Sequence, residues 1–142
     1  MGSACSADMT RYTIDVDVRF RDIDPLEHVS HTVYVTYMQQ ARLSFFYDGI
    51  DVGDEGLAFV VAHLEVDYHE SILREQDVTV AVAVTDVGRS SFTLGYEISA
   101  DGRVAATGES VQVVVDRESN ETRPISETIA TKLEPYRDER NS

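Results

Sequence analysis

The chain has 142 residues, enough for one domain with a core of its own. It carries 26 acidic against 12 basic residues, a formal net charge of -14. That balance excludes nucleic acid and anionic membrane as partners, since both bind mainly through Lys and Arg set against phosphate. No apolar run approaches the roughly 18 residues of a membrane-spanning helix, and the one cysteine, Cys5, cannot build a disulfide or a cysteine metal site within one chain.

Only one of the basic residues, Lys132, is a lysine. A moderately acidic cytosolic protein would account for the charge. The near absence of lysine favours instead a protein built for a salt-rich cytoplasm, where cations screen self-repulsion and carboxylates keep the surface hydrated. The opening MGSACSADMT lacks the hydrophobic segment of a secretory signal. The chain therefore reads as soluble and cytoplasmic, with residues 1–10 a flexible leader, 11–136 a single domain and 137–142 a polar tail.

Residues 11–20 alternate, with Tyr12, Ile14, Val16, Val18 and Phe20 on one face, and predict a half-buried strand. From His31 to Asp48 the period changes. Tyr34, Tyr37, Met38, Ala41 and Phe45 form a helical stripe wide enough to lie across a sheet. Ser30 stands as its N-cap and Gly49 as its closing residue. Residues 59–68 place Val60, Ala62, Leu64, Val66 and Tyr68 on one strand face. Residues 77–87 alternate Val78, Val80, Val82 and Val84, and residues 91–99 alternate Phe92, Leu94, Tyr96 and Ile98. Residues 103–116 predict the last strand. Gly88 marks one turn and Asp101-Gly102 a tight hairpin, and residues 125–136 predict a short terminal helix.

The expected order is strand, long helix, four strands in meander, short helix. Short connections make the five-stranded sheet antiparallel, and one long helix covers one of its faces, an α+β arrangement. A single main helix leaves sheet surface uncovered, so pairing between copies, as a homodimer or homotetramer, is expected.

The stretch from Arg19 to Arg42, RFRDIDPLEHVSHTVYVTYMQQAR, concentrates polar groups where strand gives way to helix. Phe20, Asp22 and Asp24 are followed by His28-Val29-Ser30-His31 and then Tyr34. This combination resembles the hotdog-fold acyl-CoA thioesterases of the 4-hydroxybenzoyl-CoA thioesterase type, whose members carry Phe, x-Asp-x-Asp, a turn often reading His-Val-Asn-Asn, and a Tyr-containing helix. Residues 60–98, including the Gly-Arg-Ser-Ser turn at 88–91, are similar to the family's middle strands. The resemblance spans about residues 12 to 117 and implies a hotdog fold, a sheet wrapped around one long helix, acting on acyl-CoA without a cofactor.

Under that resemblance Asp24 is the catalytic carboxylate and the backbone amide of His31 polarises the thioester carbonyl. The chemistry agrees: an Asp is already ionised at neutral pH and can attack or serve as base, and a helix N-terminus offers free N–H groups to an oxyanion. The bland alternative makes Asp24 only an Asx turn before Pro25. His28 orders the turn or acts as a base at the substrate, and Ser30 replaces the family's Asn, which opens its side-chain role. Asp22 reads as a residue that holds the turn. His63 is a candidate wall of the acyl pocket or a surface histidine, and Tyr34 a candidate pocket or core residue. Arg89 and Ser90 match positions that contact the nucleotide end of coenzyme A. His63 and His69 alone make no metal signature, so no metal site is expected. Two other readings are a non-catalytic acyl-CoA-binding hotdog module and a hotdog enoyl thioester hydratase; only a thioesterase releases free thiol from acyl-CoA.

Thermal unfolding in 0.1 M and 2 M KCl checks the reading of the charge. The Debye length falls from about 10 Å at 0.1 M to about 3 Å at 1 M, so the melting temperature should rise by more than roughly ten degrees. Equal midpoints contradict that reading.

Overall fold

The computed structural model describes residues 11–51 and 56–137. Residues 1–10 and 138–142, expected as the leader and most of the tail, lie outside the described residues. The elements are β1 (Tyr12–Val16), α1 (His31–Ser44), β2 (Leu57–Tyr68), β3 (Val78–Val87), β4 (Ser91–Ala100), β5 (Arg103–Asp116) and α2 (Glu127–Leu133). The strands form one antiparallel sheet in the order β1-β3-β4-β5-β2. Among the described residues no helix is long and apolar enough to cross a membrane.

The predicted stripe of α1 is the stripe that packs on the sheet. Tyr34, Tyr37, Met38, Ala41 and Phe45 are each at most 3% exposed, each large side chain contributing about 1.5–3 kcal/mol by leaving water. They meet the inward rows Val78, Val80, Val82, Val84 of β3 and Phe92, Leu94, Tyr96, Ile98 of β4, all buried as their alternation predicts. Gly108 on β5 lets α1 approach: a Cβ there would stand 2.7 Å from the Glu65 carbonyl oxygen and 2.8 Å from the Met38 methyl. Asp101 (φ 52°) and Gly102 (φ 84°) make the tight hairpin between β4 and β5, both in the left-handed region that such a turn requires.

Four expectations change. Only β3, β4 and β5 form a meander; β2 crosses to the far edge and pairs with β5. β1 ends at Val16, and Phe20 lies in a 3-10 turn, 77% exposed under the Arg74 guanidinium at 5.4 Å. α1 gives way at Phe45 to a π turn over Phe45–Gly49. Gly49 does not cap it in a left-handed conformation; an added Cβ would meet the Tyr12 and Phe45 rings at 3.1 Å, so the residue is small because two aromatics press on it. Finally, the register of β2 shifts between Val61 and His63. Leu57 and Phe59 pack against the core before that bulge and Val66 after it, while Val60 (48%) faces outward; Leu64 shares the face of Val66, opposite the buried Ser110, yet remains 37% exposed. One extra residue reverses the side-chain parity of a strand.

The two sheet edges differ in kind. β1 is five residues long with Thr13 and Asp15 exposed. β2 is twelve residues long and exposes Val60, Val61, Leu64 and Tyr68. A long edge with apolar side chains is a surface that natural sheets normally cover or pair.

Candidate active site

Between β1 and α1 the chain folds back on itself. Ile23 pairs with Val29 in an antiparallel bridge, the Asp24 amide donates to the His28 carbonyl at 2.8 Å, and the Ser30 amide donates to the Asp22 carbonyl at 2.9 Å. Asp24 carries the turn itself. Its carbonyl accepts from Glu27, whose φ is 68°, and its Oδ1 accepts from the amides of Leu26 (2.9 Å) and His28 (3.1 Å). The Asx-turn reading is therefore correct for one carboxylate oxygen. Oδ2 has no hydrogen-bond partner among the described residues, and the side chain is half-buried. An aspartate fixed through one oxygen presents the other in a set direction.

Asp22 does different work. It is buried, and its Oδ2 accepts from the Arg19 amide (2.8 Å) and from the Tyr37 hydroxyl (2.9 Å) on α1. Burial first, and then the Asp22 carboxylate, push the Tyr37 phenol well above its ordinary range, so it remains the donor. A charge-assisted hydrogen bond of this kind ties the turn to the middle of the helix.

α1 begins without a side-chain cap. Ser30 has the extended backbone of an N-cap (φ -61°, ψ 142°), yet its hydroxyl meets Thr32 Oγ1 at 3.2 Å instead of a first-turn amide. The His31 and Thr32 amides take no acceptor from the described residues. Two donors and the positive end of the helix dipole are thus open in the turn that holds Asp24. The His31 ring lies 4.5 Å from the Tyr68 ring, tilted 32°, and the Tyr68 hydroxyl donates to the His31 carbonyl at 2.8 Å. Tyr34 stacks edge-on against Tyr68 at 5.0 Å and donates its hydroxyl to the Glu70 carbonyl at 3.0 Å. Burial chiefly raises the Tyr34 phenol.

Asp24, His28, Ser30, His31 and Tyr34 thus share one end of the molecule. Two of them are occupied structurally: His28 closes the Asp24 turn through its own backbone, and the Tyr34 hydroxyl is spent on a carbonyl. Tyr68 belongs to this end and sequence reasoning missed its role, because alternation assigned it to the core face of a strand. His63 lies mid-strand on β2, exposed, its Nε2 3.3 Å from Glu65. Arg89 and Ser90 stand in the β3–β4 turn, at the opposite end of the sheet. β3 is ten residues long, so roughly 30 Å of strand separates them from the Asp24 end within one chain. A cavity of about 300 Å3, lined by aromatic and aliphatic side chains together with Gln39, Arg42 and Arg117, likewise opens at the far end of α1, between its C-terminal half and the start of β2. Among the described residues no three His, Cys, Asp or Glu side chains gather as a metal would require.

The family model of the Thioesterase-like superfamily matches residues 18–133. The chain belongs to that superfamily. A crystallised thioesterase from Thermus thermophilus, complexed with coenzyme A and Zn, is 36% identical, with a TM-score of 0.76 over 89% of this chain and 93% of its own. A predicted thioesterase from Bacillus stearothermophilus is 27% identical, with a TM-score of 0.82 over 90% of this chain and 97% of its own. Among curated proteins, the uncharacterized protein YsmA of Bacillus subtilis (strain 168) is 29% identical over 106 residues, 73% of this chain and 72% of that protein. The five-stranded antiparallel sheet with one long helix packed against it is the hotdog fold of these thioesterases.

In this member of the superfamily the buried Asp22–Tyr37 pair should hold the turn. Asp22→Asn removes the charge from a buried, twice-bonded carboxylate, and a loss of about 1–3 kcal/mol is expected. Urea unfolding checks it; an unchanged midpoint contradicts the assignment.

Proposed function

We propose that the protein is an acyl-CoA thioesterase of the 4-hydroxybenzoyl-CoA thioesterase type, hydrolysing an acyl-CoA to the free acid and coenzyme A. The observation that carries this reading is the Asp24 carboxylate, anchored through Oδ1 and open at Oδ2, in the same turn as the uncapped amides of α1. The thioester carbonyl oxygen accepts from the His31 amide. Asp24 Oδ2 then attacks the carbonyl carbon directly or takes a proton from an attacking water. By either route the carbonyl oxygen gains negative charge, which the His31 amide and the helix dipole stabilise. The coenzyme A thiolate leaves as the acyl product forms, and water supplies the oxygen of the acid. Tyr68 fixes the first residue of the helix, and Ser30 and His28 border the entering chain.

Support for a second copy comes from the edges. Antiparallel pairing of β2 with β2 about a two-fold axis covers the exposed Val60, Val61, Leu64 and Tyr68. The same operation brings the Leu57 end of one strand beside the Tyr68 end of the other. Residues far from Asp24 in one chain, Arg89 and Ser90 among them, then come to the Asp24 side from its neighbour. Arg89 is proposed to hold a coenzyme A phosphate there, as part of a cytoplasmic homo-oligomer.

Asp24→Asn tests the mechanism. Asn can still accept the Leu26 and His28 amides, so the turn and the melting temperature should persist, while kcat falls by about 10² to 10⁴. Thiol release from a panel of acyl-CoAs measures it; a folded Asp24→Asn with near-wild-type kcat sinks the carboxylate mechanism. The assembly has its own check. Leu64→Asp places a charge in the proposed β2–β2 seam and should yield a 15.8 kDa species by light scattering, with thioesterase activity lost. A monomer of full activity overturns the two-chain site.

A further inference from the structure

One buried chain of hydrogen bonds is not used by the chemistry above. On the inward face of the sheet, Tyr96, Ser110 and Gln112 are each at most 4% exposed, beneath the C-terminal half of α1. Gln112 Nε2 donates to the Phe92 carbonyl at 3.2 Å, and its Oε1 accepts the Ser110 hydroxyl. With its proton given to Gln112, Ser110 can only accept from the Tyr96 hydroxyl, 2.7 Å away. Burial pushes the Tyr96 phenol up, so it keeps the proton this donation needs. The Tyr96 oxygen is left as an acceptor, and Arg42 Nη1 donates to it at 3.3 Å. The direction of every bond is fixed, and the chain ends on a cation.

Arg42 spends one N–H of its guanidinium in this way, and its remaining N–H groups are not used by any carboxylate among the described residues. It lines the cavity at the far end of α1 together with Phe46, Phe59, Val61, Ile129 and a second arginine, Arg117, whose Nη2 donates to the Leu57 carbonyl at 3.1 Å. The cavity holds about 300 Å3, room for roughly ten non-hydrogen atoms at about 30 Å3 each, the share of a water in the liquid. A chamber of mixed lining, with aromatic and aliphatic walls and an oriented guanidinium, suits a short acyl chain that ends in an anion.

We propose that the acyl group carries a terminal carboxylate, and that Arg42 receives it in this cavity. The inference rests on the thioesterase reading and on the two-fold pairing of β2. Eleven residues of helix separate His31 from Arg42, about 16 Å of rise at 1.5 Å per residue, which a six-carbon acyl group cannot span. In the paired arrangement the cavity opening at Leu57–Val61 of one copy faces the Tyr68 end of the other. The thioester then sits at Asp24 of one chain and the carboxylate at Arg42 of its neighbour.

Adipoyl-CoA and hexanoyl-CoA, equal in length and differing in the terminal carboxylate, test this in the salt that gives the highest melting temperature. The wild-type kcat/KM for adipoyl-CoA should exceed that for hexanoyl-CoA by about ten- to a hundredfold, the range of a charge-assisted hydrogen bond in a dry site. Arg42→Gln should bring the ratio to near one, and Arg42→Lys, which keeps the charge, should retain part of it. Turnover of both esters without preference overturns the inference and leaves the thioesterase reading standing; hydrolysis of neither also overturns the inference, and the acyl-CoA panel then decides the thioesterase reading separately. A ratio unchanged in Arg42→Gln, with the oligomer weakened, would mean that Arg42 meets a carboxylate of the second copy, and it too overturns the proposal.

Discussion

A buried carboxylate holds the turn between β1 and α1. Asp22 sits where β1 has ended and α1 has not begun, and it closes that gap three times. Its side chain accepts from the Arg19 amide and the Tyr37 hydroxyl, and its carbonyl accepts from the Ser30 amide. A buried charge is tolerable only when its lone pairs are met, and these are. Because Tyr37 belongs to the helix stripe that packs on the sheet, the position of the turn follows from the packing of the core. Asp24, two residues on, inherits a fixed place from that arrangement. The two aspartates look alike in sequence and are opposite in environment: one is consumed by structure, the other has an oxygen to spare.

The sheet imposes the second constraint. It is curved over a single helix, so its inward face is filled by α1 and its long β2 edge is left with apolar side chains outward. The bulge between Val61 and His63 divides this edge, with Leu57 and Phe59 inward before it, Val66 inward after it, and Val60 left outside. One chain therefore separates the groups that the proposed thioester chemistry would use. The carboxylate and open amides lie at one end of α1, and the cavity lies at the other. The proposed two-fold pairing of β2 would join the ends that the chain keeps apart.

Periodicity made the interior of the fold legible. The stripe Tyr34-Tyr37-Met38-Ala41-Phe45 and the rows on β3 and β4 are buried as read, because each repeats over enough residues to fix a face. Where a single residue breaks the repeat, reading by period fails. Phe20 continues the alternation of β1 in sequence but follows the chain into a 3-10 turn. The bulge in β2 changes parity without any change of composition. The crossover of β2 to the far edge has no local signal, since strand order depends on which partner buries more surface. The Asp-x-Asp spacing and the helix start marked the turn in which Asp24 stands beside the open amides of α1. Tyr68 stayed hidden, because its hydroxyl bonds a carbonyl 37 residues away and an aromatic at the end of a strand pattern reads as core.

The central claim is that one turn brings an ionised carboxylate and free helix amides to the same thioester. A crystal structure of the Asp24→Asn protein with an intact acyl-CoA tests it most directly. The account predicts the carbonyl oxygen within about 3 Å of the His31 amide nitrogen, with the side chain of residue 24 facing the carbonyl carbon. A thioester bound with its carbonyl away from the start of α1, and no contact to the turn, would contradict it.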